Sequence, residues 1–157
     1  MSKVSAFLWF DKEAEEAANL YVSIFRNAKL GAVTRYGAEG PGPAGGVMTA
    51  QLEIDGYKFT LLNGGPLFKF NESVSFVIEC ADQDEVDLYW SRLSEGGAPG
   101  NCGWIKDKFG LSWQITPKRF YELANDPDRA KAGRVFGAML KMTKMDIAAL
   151  ERAAMAA

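Results

Sequence analysis

A strand followed by a helix occurs twice in this chain, and this recurrence constrains the fold more than any other feature. Residues 4–10 (VSAFLWF) form a short apolar run that predicts a buried strand, and residues 12–25 then place alanine and aromatic side chains at helical spacing. The same order returns about 69 residues later, in 74–80 (VSFVIEC) and 82–93 (DQDEVDLYWSRL). Each helix is followed by further strands, so the sequence predicts two βαβββ-like halves. The alternative is chance similarity between two ordinary α+β segments.

The segment between the two repeats predicts the remaining strands of the first half. Residues 47–54 alternate between apolar and polar side chains, which is typical of a half-buried strand, and residues 57–63 form its returning partner. The dipeptide Asp55-Gly56 between them is a hairpin-turn signal. Residues 30–36 predict another strand, whereas residues 37–46 contain five glycines and two prolines and predict a mobile loop.

Three aspartates predict where helices begin. Asp11 precedes the first helix and is a candidate N-cap. Asp126 precedes Pro127, and proline is favoured at the first helical position, so this pair predicts the start of a helix in the tail. Residues 143–146 (TKMD) resemble a capping box in which Asp146 replaces the usual glutamate. Residues 118–157 are therefore predicted to be helical.

The chain contains no histidine, which excludes several kinds of site. Ser-His-Asp and Cys-His triads and His-ligated zinc or iron sites all require an imidazole. Cys80 and Cys102 match no redox or zinc spacing, and without a secretory signal or a disulfide framework they favour a cytoplasmic location. The net charge of −2 and the lack of a long apolar run predict that the protein binds neither nucleic acid nor a membrane.

Four segments resemble the PhnB-like branch of the vicinal oxygen chelate superfamily, the glyoxalase/bleomycin-resistance/dioxygenase group. They are 7–25 (FLWFDKEAEEAANLYVSIF), 61–77 (LLNGGPLFKFNESVSFV), 102–117 (CGWIKDKFGLSWQITP) and 126–150 (DPDRAKAGRVFGAMLKMTKMDIAAL). The branch carries the label 3-demethylubiquinone-9 3-methyltransferase. The resemblance implies an α+β fold in which two βαβββ modules form a cupped, mostly antiparallel sheet, usually in a homodimer. We therefore expect a single glyoxalase-like domain over 1–157, with modules at about 3–65 and 73–117 and a helical C-terminal extension at 118–157.

The resemblance also implies where a metal ion would be bound, because metal-using relatives take four ligands from the first and fourth strands of both modules. Carried over to this sequence, the positions fall near Ala6 or Phe7, near Leu61 or Leu62, near Ser75, and at Gln114. None of these residues is His, Asp or Glu, so we expect no metal site and no cofactor. The family pattern NGGPxFxF often has histidine where this chain has Leu67, so chemistry that depends on that imidazole is not expected here.

Strand alternation predicts which side chains line the pocket of such a sheet. The face with Gln51 and Glu53 is expected to match the face with Gln114, while the first and fifth strands add Trp9 and Glu79. With the loop aromatics, the candidate ligand-binding residues are Trp9, Gln51, Glu53, Asn63, Phe68, Phe70, Glu79, Trp104 and Gln114. The alternatives are a polar sheet face in water for the strand residues and a place in the core for the tryptophans.

Glu53 and Glu79 are also candidates for a carboxylate pair. If they lie close together in a buried site, one carboxyl has a raised pKa and can act as a general acid or base. Ordinary surface charge is the alternative.

Three functions remain compatible with the sequence. The first is metal-independent binding of an unknown small molecule by a homodimer. The second is a small-molecule enzyme that uses Glu53 or Glu79, directly or through a metal ion. The third is a protein-interaction module whose tail helices bind a partner. Methyl transfer is not expected, because the first strand ends in FDKEAEE, without a glycine-rich turn to hold a methyl donor.

The tail contains four methionines that predict an apolar surface for a second subunit. They are Met139, Met142, Met145 and Met155. Flexible, polarizable methionine side chains suit such a contact surface.

Overall fold

A computed structural model describes residues 2–156 of the chain. The strands are β1 (Ala6–Phe10), β2 (Ala28–Arg35), β3 (Val47–Ile54), β4 (Tyr57–Asn63), β5 (Ser75–Cys80), β6 (Ala98–Pro99), β7 (Trp104–Lys106) and β8 (Ser112–Pro117). The helices are α1 (Ala14–Ile24), α2 (Gln83–Ser94), α3 (Lys118–Ala124), α4 (Arg129–Met139) and α5 (Ile147–Met155). No helix in this range combines the length and the apolar character that a membrane span requires.

The chain divides into two compact units, the first ending at Phe70 and the second beginning at Asn71. Each unit contains one four-stranded sheet, with strand order β1-β4-β3-β2 in the first and β5-β8-β7-β6 in the second. In each sheet the first strand runs parallel to the last, and the other neighbours are antiparallel. The α+β class and the two βαβββ modules expected from the sequence are therefore confirmed.

In the first unit, α1 covers one face of the sheet with small residues and one large one. Its buried side chains are Ala14, Ala17, Ala18, Tyr21 and Ile24. Alternate residues of the strands beneath it are also buried, among them Ala50 and Leu61. This side of the sheet is the core of the unit, because the spacing of apolar residues in the helix and the strands directs both sets inward.

Asp11 does not cap α1, contrary to the sequence prediction. The N-cap position belongs to Glu13, whose side chain makes no capping hydrogen bond. Instead the Ala14 N–H donates to Oδ1 of Asn63 at 2.8 Å. The orphan donor of the helix is thus satisfied by a residue at the end of β4, which no local sequence pattern indicates.

The glycine-rich loop 37–46, predicted to be mobile, packs on the buried side chain of Tyr36. Tyr36 and the end of the loop exchange two backbone hydrogen bonds, from Tyr36 N to Gly46 O at 2.9 Å and from Gly45 N to Tyr36 O at 2.8 Å. A Cβ added to Gly42 would overlap the tyrosine ring. The glycines therefore allow the loop to lie closely against an aromatic ring.

In the second unit, Asp82 caps α2, because its carboxylate accepts from Glu85 N at 2.9 Å. After α2 the chain forms the two-residue strand β6. Between β7 and β8, the buried Asp107 carboxylate accepts from the Phe109 N–H at 2.9 Å and from the Trp113 indole N–H at 2.9 Å. Trp113 is consequently a core residue.

The tail is helical as predicted, but two of its caps differ. Asp128, not Asp126, caps α4, since its carboxylate accepts from Ala130 and Lys131, while Asp126 accepts from Asp128 in a local turn. Asp146 is itself the N-cap of α5, so the capping box predicted over 143–146 is wrong. The three helices enclose a small core of Leu123, Val135, Met139, Met145, Leu150 and Ala154.

Main-chain atoms attach this extension to the rest of the second unit. Cys102 N donates to Met142 O, and Gly103 N donates to Thr143 O, both at 2.8 Å. The Gln83 side chain adds a bridge, because its amide donates to Met145 O at 3.0 Å and accepts from Ile147 N at 2.9 Å.

Candidate functional site

Cross-strand pairing arranges side chains in three rows on the face of the first sheet opposite α1. Along β1, β3 and β4, residues on this face alternate with the buried residues that meet the helix, whereas β2 contains no buried residue. The charged row contains Lys29, Glu53 and Lys58, the middle row Gln51, Thr60 and Phe7, and the third row Thr49, Leu62 and Trp9.

The charged row holds one carboxylate between two lysines. Lys29 Nζ lies 3.3 Å from Glu53 Oε1, and Lys58 is the opposite neighbour of Glu53 across β3 and β4. Glu53 therefore contributes to this face as one member of a row with net charge +1. Sequence reasoning found Glu53 but missed both lysines, because only the strand register brings them beside it.

Gln51, in the middle row, is exposed, and its side chain lies close to the backbone of β2 at Gly31. A Cβ added to Gly31 would lie 2.9 Å from Gln51 Cβ, so glycine is required for this approach. The strand pairing is irregular here, with a register shift between Leu30 and Val33. A depression of about 230 Å³ covers this region of the face, and its lining includes Ser5, Lys29, Gly31, Gln51, Glu53, Lys58 and Thr60.

Trp9 anchors the NGGPLFKF loop on the same face. Its indole N–H donates to Gly65 O at 2.9 Å, and a Cβ added to Gly64 would overlap the indole ring. The Phe68 ring meets Trp9 edge-on, with 5.0 Å between the ring centroids and 80° between the ring planes. Phe7 lies two residues before Trp9 on the same face and is 62% exposed. These three rings form an aromatic edge beside the polar rows.

Asn63 and Phe70, two of the predicted ligand-binding residues, make contacts within the first unit. Besides accepting from Ala14 N, Asn63 donates from Nδ2 to Val47 O at 3.1 Å. Its own carbonyl accepts from the Tyr36 hydroxyl. The Phe70 ring packs edge-on against Phe10, which belongs to the side of β1 that faces the core. Phe68 and Phe70 thus contact opposite faces of the strand.

The second unit presents a comparable face opposite α2. Trp104, Gln114 and Val77 are neighbours in one row, and Glu79 pairs with Thr116 in another. Gln114 Nε2 donates to Ser75 Oγ at 2.9 Å, which fixes the orientation of the amide. Glu79 is exposed and belongs to the second unit, whereas Glu53 belongs to the first.

The chemistry-bearing groups that remain are carboxylates and two cysteines, Cys80 and Cys102. Residues 2–156 contain no group of three or more His, Cys, Asp or Glu side chains that could hold a metal ion. Burial, reinforced by the nearby carboxylates of Glu85 and Asp82, raises the pKa of the Cys80 thiol to about 12. This thiol is therefore protonated at neutral pH and not nucleophilic.

Comparison with known proteins gives one family and several related structures. The sequence model of the family described as 3-demethylubiquinone-9 3-methyltransferase matches residues 2–116. A solved structure of a PhnB protein from Bacillus cereus, named for the same methyltransferase, is 31% identical, with a TM-score of 0.68 over 74% of this chain and 99% of that chain. No curated protein matches the chain.

Two more distant structures share the fold. A protein from Pseudomonas aeruginosa is 20% identical with a TM-score of 0.62, and this chain covers 98% of it. A gene product of Arabidopsis thaliana is 16% identical with a TM-score of 0.52, again with 98% of that chain covered. Each match involves 74% of the present chain.

Proposed function

The chain belongs to the 3-demethylubiquinone-9 3-methyltransferase family, the PhnB-like branch, and we propose that it binds a small molecule without a metal ion. The binding surface in this proposal is the face of the first sheet opposite α1. A sheet face that combines aromatic side chains with a few polar groups suits a small, partly apolar ligand.

One observation carries the proposal, namely the placement of Trp9, Gln51 and Glu53 together on that face. Phe7 and Phe68 add exposed aromatic surface there, and an exposed aromatic ring is the kind of group that a ligand can cover. By contrast, Asn63 and Phe70 have partners within the unit and are left out of the proposed site.

Two features support metal independence. The chain has no histidine, and none of the positions expected for metal ligands carries Asp or Glu. The carboxylate on the first sheet, Glu53, lies within 3.3 Å of the Lys29 ammonium, an arrangement that disfavours a divalent cation beside it.

The family description names a methyl transfer, and two features of the first unit favour binding without it. The β1–α1 connection contains no glycine, and the sheet has one parallel pair of strands rather than the parallel sheet of a doubly wound nucleotide-binding fold. A methyl donor therefore lacks the usual glycine-rich turn at a helix N-terminus.

The protein is further proposed to act as a homodimer. The methionine argument from the sequence is only partly supported, because Met139 and Met145 are buried in the tail core and Met142 packs against it. Exposed Phe136 on α4 and exposed Leu140, the residue after α4, offer a more direct apolar contact surface. Light scattering should give twice the chain mass at micromolar concentration, and a monomer throughout that range would contradict the dimer.

Thermal unfolding in the presence of a library of small aromatic compounds and metabolites tests the binding function. A ligand of the native state raises the melting temperature as its concentration exceeds Kd. Phe7→Ala and Gln51→Ala should remove the shift, whereas Glu95→Ala, at an exposed residue of the second unit, should leave it intact. The shift should survive EDTA. A library without any effective compound, or a tightly bound stoichiometric metal ion, would contradict the proposal.

A further inference from the structure

We infer that the ligand of the first sheet is an aromatic anion, with a flat apolar body and a negatively charged head. This inference rests on the proposed function, since it concerns the ligand of the same face. It follows from the separation of charge and aromatic surface across the three rows.

The charged row favours an anionic head. Among the strand residues on this face, Glu53 supplies the one carboxylate, and lysines flank it on both neighbouring strands. Strands lie about 4.8 Å apart, so an anion above the row lies close to both ammonium groups. At the surface, where water screens charge, this arrangement still favours an anion over a cation.

Hydrogen-bond donors surround the same end of the face. Gln51 and Thr60 stand one row away, and the depression also includes the Ser5 hydroxyl. The side-chain amide of Gln51 makes no hydrogen bond to other side chains or to backbone groups of residues 2–156. Its N–H groups can therefore donate to a carboxylate, sulfonate or phosphate without breaking a contact within the protein.

The aromatic edge favours a flat apolar body at a defined distance. Phe7 and Trp9 are on β1, and the Gln51 and Glu53 positions are two strands away on β3. Two interstrand spacings amount to about 10 Å, which one or two fused rings with a charged substituent can span. The depression of about 230 Å³ likewise suits a head group and part of a ring rather than a large ligand.

Three naphthalene compounds with the same ring test the sign of the charge. They are naphthalene-2-sulfonate, the neutral naphthalene-2-sulfonamide and the cationic 2-naphthylmethylammonium. We expect the sulfonate to bind about three- to tenfold more tightly than the sulfonamide, and the cation to bind most weakly. The advantage of the sulfonate should decrease as salt is added. Calorimetric titration of the full chain gives all three affinities.

Two substitutions with opposite effects test the location. Lys29→Gln should weaken sulfonate binding about three- to tenfold, whereas Glu53→Gln should strengthen it by a similar factor. The affinity for the sulfonamide should change little in either variant. Lys12→Gln and Glu39→Gln change the same charges at exposed residues off this face and should have no effect. All four positions are on the surface or partly exposed, so the folded state is expected to persist.

The outcomes separate the inference from the proposed function. Equal affinities for the three compounds, or a preference for the cation, would overturn the anionic head and leave small-molecule binding in place. Failure of all three compounds while a library compound still raises the melting temperature would also overturn only the inference. If neither the three naphthalene compounds nor any library compound binds, both the inference and the proposed small-molecule binding are overturned.

Discussion

The two strand–helix junctions of the molecule follow the same pattern but are closed by different residues. At the β5–α2 junction, Asp82 precedes the helix and its carboxylate accepts from Glu85 N. At the β1–α1 junction, Glu13 occupies the cap position without a capping bond, and Asn63 supplies the acceptor from 49 positions away in the sequence. The cap of α2 comes from a neighbouring residue, whereas the cap of α1 forms only once β4 is in place.

In the first unit, the residue that caps the helix, Asn63, also links three parts of the structure. Asn63 contacts the start of α1, the start of β3 and the Tyr36 side chain, and it immediately precedes Gly64 in the loop anchored by Trp9. In the second unit, separate residues make the corresponding contacts. Asp82 caps α2, Asp107 bonds across the β7–β8 hairpin, and Gln83 bonds to the C-terminal helical extension. The first junction should therefore be the more sensitive to substitution.

Replacing Asn63 and Asp82, the residues that cap α1 and α2, tests the difference between the two junctions most directly. Asn63→Ala removes two partly buried hydrogen bonds and should lower the free energy of unfolding by about 3 kcal/mol. Asp82→Ala removes one exposed local cap and should cost about 1 kcal/mol. Urea unfolding of both variants measures the difference. Asn71→Ala serves as the control, because this exposed asparagine accepts local hydrogen bonds from Ser73 two residues away. Equal losses from Asn63 and Asp82 would refute the distinction.

The loop side of the first junction gives the next largest effect. In Gly64→Ala the new methyl group would overlap the Trp9 ring, and we expect a loss of about 2 kcal/mol together with a change in tryptophan fluorescence. Gly137→Ala is the matched control, because nothing lies within 4 Å of its added Cβ. In α4 this change should stabilise the protein by up to about 1 kcal/mol. A Gly64 variant as stable as the natural chain would contradict the packing of Trp9.

The second junction can be tested through its link to the tail. Gln83→Ala removes the bridge to Met145 O and Ile147 N and should cost about 1–2 kcal/mol. Cys102, which packs against the tail core, should then react faster with a thiol reagent at pH 8. Cys80 should stay unreactive until the protein unfolds, because it is buried and its pKa is raised to about 12. An unchanged Cys102 rate would show that the bridge does not hold the tail.

A pH dependence at the same link should be the smallest effect. Hydrogen bonds from Lys144 and then Gln83 lower the pKa of Asp87. A pKa lowered by folding stabilises the protein at neutral pH, and this contribution disappears as the pH falls through the folded value, below about pH 4. The pair is exposed, so the contribution is a few tenths of a kcal/mol. Asp87→Asn should therefore differ slightly from the natural chain at pH 7, and the difference should decrease as the pH falls below about 4. A difference that stays the same across this range would rule out this origin.

Local patterns were sufficient for much of the fold. The alternation over 47–54 and the Asp55-Gly56 turn correspond to β3 and its hairpin to β4. Positive φ angles at both turn residues, 49° and 81°, explain why this dipeptide is found there. The start of α4 could not be settled in the same way, because Asp126 and Asp128 are both plausible caps and only the backbone geometry selects Asp128.

The candidate site shows the same division between local and distant information. Alternation alone puts Gln51 and Glu53 on the face opposite α1, since neighbouring strand residues point to opposite sides. Lys29 and Lys58 could not be added without the strand register, which includes an irregularity between Leu30 and Val33. Phe68 and Phe70 differ by two positions in one loop, yet only their contacts with Trp9 and Phe10 reveal that they serve different faces.

The attachment of the tail has a consequence for how such domains diversify. The family match ends at residue 116, and the helices beyond it are held partly by peptide groups of Cys102, Gly103, Met142 and Thr143. Peptide groups are the same whatever side chain a codon specifies, so these two hydrogen bonds do not depend on the side chains of Met142 and Thr143. Gly103 is the exception on the other partner, because it has a positive φ and an added Cβ would lie 2.8 Å from Ile115 O. An ancestral domain could acquire such an appendage before evolving a tailored surface to receive it.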